Sequence, residues 1–361
     1  MSTNGRESLD MAERFIAKEA LVELGTQIFI TAGVSKEESR RVSENLVEAN
    51  LYGHDSHGIG LVPKYIEDLK GKQLFPDRKI KILKDTGSMI SVDGQLGFGQ
   101  SIGIEAMNIG IERAKQYGVA MVGTARSHHL ARIGHWGDQC AAAGMASIHF
   151  VNVVAPPKVA PWRGSDARLV TNPICITVPN DPYPIQLDFA TSAVAFGKVQ
   201  VAYEAQKAMK QGSLIDSQGL PTNDPAVMFE EPKGAMMAFG EHKGYGLAFM
   251  CEVLGAALFA GDVQDKVPPG NPLTNNMLSI IFKPYELNGK DALQEQIHSV
   301  MEWIKGSSQA NPNEPILFPG DIEQITFKER LDKGIPLSEG TISELLKCAT
   351  QLGIQNPENM I

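Results

Sequence analysis

Glu241-His-Lys-Gly-Tyr-Gly-Leu-Ala-Phe-Met-Cys-Glu252 is the stretch on which the fold turns. A glycine pair ahead of an apolar run invites comparison with the G-x-G-x-x-G turn that carries a pyrophosphate into a helix N-terminus. Gly244 and Gly246 lack the third glycine, as do Gly58-Ile-Gly60 and Gly97-Phe-Gly99. None opens a strand–helix–strand frame with the expected acidic residue beyond it, so a standard Rossmann fold is disfavoured. The stretch does supply a helix start, with Lys243 and free backbone amides that attract an anion such as phosphate. A basic loop before a buried helix is the plainer reading. The apolar run continues from Tyr245 to Ala260, but Glu252 interrupts it and it falls short of a bilayer span, so a buried helix is expected.

Outward from this helix, the pattern is strand-like at 79–83, 89–92, 119–123, 146–154, 169–178, 185–187 and 277–282, with helical segments near 101–117, 132–144 and 242–260. Both chain ends are helical. Residues 10–32 carry apolar positions at helical spacing, and Ser35-Lys-Glu-Glu38 opens a second helix as a capping box. That helix ends at Gly53, and another follows at 62–69. Helical periodicity returns at 290–305, 321–333 and 338–351. The expected plan is α/β, with a central mixed or largely antiparallel sheet at 76–289 and a discontinuous helical lobe from 1–75 and 290–361. Pro/Gly/Asn clusters at 267–276 and 307–320 read as loops.

Composition narrows the function classes. Lys and Arg number 33 against 42 Asp and Glu, a net charge of −9, which argues against a polyanion-binding surface and hence against nucleic acid. Cys140, Cys175, Cys251 and Cys348 are widely separated, as suits reduced thiols. The N-terminus lacks an apolar segment after a basic start, so no signal peptide is expected and the location expected is the cytoplasm.

The densest polar constellation is His54-Asp-Ser-His57-Gly58, at a helix end. An imidazole there suits proton transfer near neutral pH, against the plain alternative of a capping or surface histidine. Ser127-His-His129-Leu-Ala-Arg132 follows a strand, and Arg132 is equipped to hold a carboxylate by two parallel hydrogen bonds, unless the segment is simply a solvated loop. Thr171-Asn172-Pro173 and Asp188-Phe-Ala-Thr-Ser192 are polar runs among apolar strands. Asp188 needs a partner, for which His57 or a cofactor group are candidates. His54, His57, His128, His129 and Asp188 raise the question of a metal, but a lone His-x-x-His is weak and no site is assigned.

Taken in order, Asp55-Ser-His-Gly58, Ser127-His-His129, Thr171-Asn-Pro173, Leu187-Asp-Phe-Ala-Thr-Ser192 and Glu241-His-Lys-Gly244 resemble the type-2 malate/L-lactate dehydrogenase family over nearly the whole chain. The resemblance implies NAD(H) or NADP(H) bound on a non-Rossmann lobe, and a homodimer whose active sites draw on both subunits. It implies His57 as acid/base, His129 beside substrate and nicotinamide, and Thr171 at the substrate; Asp188 is our candidate to orient His57, and Arg132 our candidate to hold the substrate carboxylate. Pro184, Ile185, Gln186, Leu187, Asp188, Phe189 and Ala190 would line the cofactor with Asn172, His242, Lys243, Gly320, Asp321 and Ile322.

Many relatives carry an arginine four residues after the histidine, whereas this chain has Leu61. The carboxylate then falls to Arg132, with Arg168 and Lys64 behind it, and the apolar surface would favour bulky or aromatic 2-oxo acids. The expected activity is hydride transfer between NAD(P)H and the C2 carbonyl of a 2-oxo acid. Alternatives within the family are malate/lactate, sugar-derived keto-acid and cyclic-imine-acid reduction. A metal-dependent hydrolase and a silent homologue are the rivals from other classes.

Overall fold

The computed structural model describes residues 13–266 and 273–361. Most of the expected 267–276 loop, and the start of the helix expected from residue 10, lie outside them. The chain divides into two compact units, one formed by residues up to Gly71 with Glu323–Ile361, the other by Lys72–Ile322. A unit built from both chain ends is therefore present, but its C-terminal part begins at 323 and not at 290. Helix Lys290–Lys305 belongs to the second unit, where Gln294 Nε2 donates to the Pro179 carbonyl at 3.3 Å.

The first unit packs helices Lys18–Thr31, Lys36–Leu51, Val62–Lys70 and Glu339–Gln351. Helix Asp321–Lys333 contributes from Glu323 onward. The apolar spacing of these helices buries Leu21, Leu24, Ile28, Phe29, Leu46, Tyr65 and Leu345 completely. The expected cap is seen from its Ser35 side, with Ser35 Oγ accepting the Glu38 N–H at 3.4 Å. Residues Glu13–Ile16, read as helix from sequence, instead pair antiparallel with Ile335–Ser338.

The second unit is organised on a seven-stranded sheet of order Lys81–Asp85, Met89–Asp93, Val119–Ser127, Thr274–Phe282, Ala146–Val154, Ile174–Val178, Ile185–Phe189. Only Met89–Asp93 and Val119–Ser127 run parallel, joined by helix Gly99–Tyr117; the other neighbours are antiparallel. The strand expected at 169–178 begins only at Ile174, because Asn172 adopts φ +29 ahead of Pro173. Along Ala146–Val154 side chains alternate between faces. Val151 joins the core formed with Met107 and Trp136, while Asn152 turns to Glu252 on helix His242–Gly255. A smaller three-stranded sheet and helix Phe196–Glu204 were not foreseen. No helix among the described residues is long and apolar enough to cross a membrane.

Candidate active site

Helix Lys36–Leu51 ends in a left-handed Gly53 (φ +83), and Asp55–His57 forms a single 3₁₀ turn. Asn50, 1% exposed, holds this turn from inside: its Nδ2 donates to Asp55 Oδ1 at 2.7 Å, and its Oδ1 accepts the Ile59 N–H at 2.8 Å. Gly58 is required by that arrangement, since a Cβ there would lie 2.2 Å from Asn50 Oδ1. Arg330 closes the turn from outside with a two-pronged bond to Asp55, Nη1 at 2.6 Å and Nη2 at 2.9 Å, and a further bond to the Asn50 carbonyl. His54 Nε2 lies 3.6 Å from Glu323, and Ser56 Oγ lies 3.0 Å from His57 Nδ1. His57 is half-buried, as is Leu61 in the turn that follows. Lys64 is committed to its own helix: its ammonium sits 2.7 Å from Asp68, whose side chain is buried. Partial burial pulls the Lys64 pKa down, but the bonds to Asp68 and Glu67 outweigh it and leave the pKa raised.

In the second unit, Val119–Ser127 delivers His128, fully buried, and His129, half-buried. Arg132 corrects the sequence reading. It is 2% exposed, donates to Gln186 Oε1 at 2.9 Å and pairs with Asp138, so its guanidinium is spent inside the protein. Gln186, expected to line a cofactor, is buried on the same network and also donates to the Gly134 carbonyl at 2.9 Å and Asp138 Oδ1 at 2.8 Å. Asp188, two residues along the strand, receives the Gly134 N–H at 2.7 Å, so a helix N-terminus meets this carboxylate. The alternate positions lie on the other face of the strand: Leu187 is 40% exposed, and the half-buried Phe189 meets Phe239 edge to face at 5.3 Å.

Asn172 also departs from expectation, being fully buried. Its side chain donates to Glu252 Oε1 at 2.7 Å and accepts the Val153 N–H at 3.1 Å, while Thr191 Oγ1 donates to the carbonyls of Thr171 and Asn172. Asn172 thus fixes the turn that presents the half-exposed Thr171. Glu252 ties the turn to helix His242–Gly255 and to Asn152 at 2.8 Å. His242 and Lys243 are exposed at the start of that helix, with His242 5.4 Å from the Trp162 ring. Lys243 pairs with no carboxylate among the described residues.

Two of the three expected cofactor segments meet. A Cβ on Gly320 (φ +100) would lie 3.4 Å from the Pro184 carbonyl, and the Gln186 N–H donates to the Pro319 carbonyl. Tyr183 donates to Asp321 Oδ1 at 2.9 Å, which raises the phenol pKa. Ile185 and Asp321 share a cavity of about 260 Å³ with Tyr183, His298 and Met301, and Ile322 is exposed. Ala190 is half-buried beyond the strand. Among the described residues no group of three or more His, Cys, Asp and Glu side chains gathers as a metal-ligand set. Arg168 is exposed and pairs with an equally exposed Asp166.

Sequence reasoning missed Asn50 and Arg330 and gave no role to Glu252 or Thr191, although Glu252 stands out as a carboxylate within an apolar helix and Thr191 falls in the polar run from Asp188 to Ser192.

The profile of the malate/L-lactate dehydrogenase family matches residues 16–346. Hydroxycarboxylate dehydrogenase B of Escherichia coli (strain K12) is 44% identical over 331 residues, 91% of each chain. An L-lactate dehydrogenase of Cupriavidus necator is 36% identical, covering 83% of this chain and 87% of that one. The solved sulfolactate dehydrogenase of Methanocaldococcus jannaschii superposes with a TM-score of 0.86 at 31% identity, over 96% of this chain and 99% of the other.

Proposed function

The chain belongs to the malate/L-lactate dehydrogenase family, an oxidoreductase acting on CH–OH donors, and on that premise we propose that it interconverts 2-oxo and 2-hydroxy acids with His57 as acid and base. The observation that carries this reading is the braced Asp55–His57 turn, where an imidazole is fixed at Nδ1 by Ser56 and half-open at a helix end.

The cofactor proposed is NAD(H) or NADP(H). The exposed Lys243 at the start of a 14-residue helix suits a pyrophosphate, and Ile185, Gly320 and Asp321 suit the rest of an extended dinucleotide. When bound, the dihydronicotinamide supplies the hydride. His57 gives a proton from Nε2 to the substrate oxygen as the carbonyl pair moves onto it, and takes that proton back in the oxidative direction. Thr171, half-exposed on its braced turn, and His129 are assigned to orienting the substrate. With Arg132 and Lys64 committed internally, the carboxylate falls to Arg168, whose exposed pair with Asp166 is weak enough to exchange. Leu61 supplies apolar surface, which favours bulky or aromatic acids over oxaloacetate. The enzyme is proposed to act in the cytoplasm as a homodimer whose active sites draw on both subunits.

An absorbance assay of both cofactors against aliphatic, aromatic, dicarboxylic and cyclic-imine acids tests the reading. His57→Ala is expected to lower kcat by about 100-fold or more while cofactor binding, followed by fluorescence quenching, stays within about twofold. Near-normal turnover in that variant removes the acid/base assignment. A kcat/KM highest for oxaloacetate removes the role given to Leu61.

A further inference from the structure

We propose that Arg330 and Asn50 are positioning residues for proton transfer by His57, acting through Asp55; this rests on the acid/base reading of His57 above. Helix Asp321–Lys333 lays one face along the turn at the spacing of neighbouring helical residues. Glu323 reaches His54, and the Phe327 ring lies 4.7 Å from Tyr52. A Cβ on Gly53 would come within 3.1 Å of the Thr326 methyl, and Arg330 grips Asp55. The Asn50 amide does a second thing. By bonding Asp55 on one side of His57 and the Ile59 N–H on the other, it closes residues 55–59 into a ring around the histidine. A two-pronged guanidinium–carboxylate bond fixes direction as well as distance, so the backbone carrying the imidazole has little room to tilt.

Arg330 also neutralises a carboxylate two residues from His57. Among the described residues, the charged and titratable groups seen in contact with the turn are Asp55 and His54 on it, and Glu323 and Arg330 on the facing helix. Lys64 on the following helix points to Asp68, and the near contact from helix Glu339–Gln351, Thr341 beside Gly60, is uncharged. Geometry and charge balance at His57 therefore both depend on a residue that the reaction never touches.

The test uses the full-length enzyme, its cofactor and its best hydroxy acid, with Arg330→Lys, Arg330→Met and Asp55→Asn. Arg330→Lys keeps the charge but loses the fork. Its kcat should fall by about 10- to 100-fold, with KM and cofactor binding within about twofold and the acid limb of the oxidation pH profile unmoved. Arg330→Met leaves Asp55 uncompensated and should move that limb up by a few tenths of a pH unit, the size of effect expected of one nearby charge in water-like dielectric. Asp55→Asn leaves Arg330 uncompensated and should move it down. Limbs that shift together, or losses in kcat that merely track a lower thermal midpoint, show a structural role alone and overturn the proposal. If Arg330→Met does not fold, the other two variants decide. Turnover within twofold of the parent in both, alongside collapse in His57→Ala, removes this inference and leaves the reading of His57 standing.

Discussion

Arg132 shows how burial redirects a side chain that local pattern marks for ligand binding. Its guanidinium is paired with Asp138 and bonded to Gln186 at 2% exposure, and a buried ion pair costs most when one partner is removed. Arg132→Met is therefore expected to lower stability by roughly 3 kcal/mol, seen in the denaturation midpoint, without a selective rise in KM for the acid. Arg168→Gln should do the reverse, raising KM with stability unchanged. An Arg132 variant that folds normally but binds substrate poorly would restore the sequence reading. At this scale the sequence was legible where chemistry is local: His57, Ser56 and Gly58 are adjacent and form one turn. Asn50 and Arg330 were not, because neither residue type signals anything by itself and Arg330 lies 275 positions from its partner Asp55.

Elements were legible wherever one face repeats regularly. Ala146–Val154 reads as a strand from its alternation and is one, and Ser35 to Glu38 announces its helix through a cap. Glu13–Ile16 misled because its apolar positions fit either period, and what decides is a partner strand at Ile335–Ser338. Leu169 and Val170 misled differently: they are apolar enough to extend a strand, but the positive φ of Asn172, imposed by Glu252 and Thr191, breaks it. The turn at Asp55–His57 carries a sharper expectation. Because a Cβ on Gly58 would overlap the Asn50 amide at 2.2 Å, Gly58→Ala must displace Asn50 and open the ring around His57. Turnover should drop by about 100-fold while cofactor binding persists. Activity within a few fold of the parent would mean that the turn tolerates a displaced amide.

At the scale of the whole molecule, acid response separates a buried proton site from global charge. The chain carries a net charge of −9 and a pI near 5.5, so lowering the pH from 7 to 5 relieves self-repulsion and by itself favours the compact state. His149 opposes this. It is fully buried in the sheet between the hydroxyls of Ser147 and Ser279, each 2.9 Å from a ring nitrogen, and burial lowers its pKa to about 3. The unfolded chain protonates this ring near pH 6.5 whereas the folded one does not, so between 6.5 and 3 the unfolded state binds more protons and stability falls with falling pH. Between pH 6.5 and 5 the loss is about 2 kcal/mol, and the contribution fades within about one pH unit above 6.5. Urea midpoints read from intrinsic fluorescence, with Trp136 fully buried in the same unit, should decline over this window. His149→Gln should flatten the decline, at a cost of about 1 kcal/mol at pH 7 from altered hydrogen bonds. An undiminished decline in that variant would assign the acid response to other groups. The four cysteines do not compete for that role. All are buried, and burial raises their pKa values, to about 12 for Cys140 and Cys251, so they stay protonated across the window and cannot contribute to the slope.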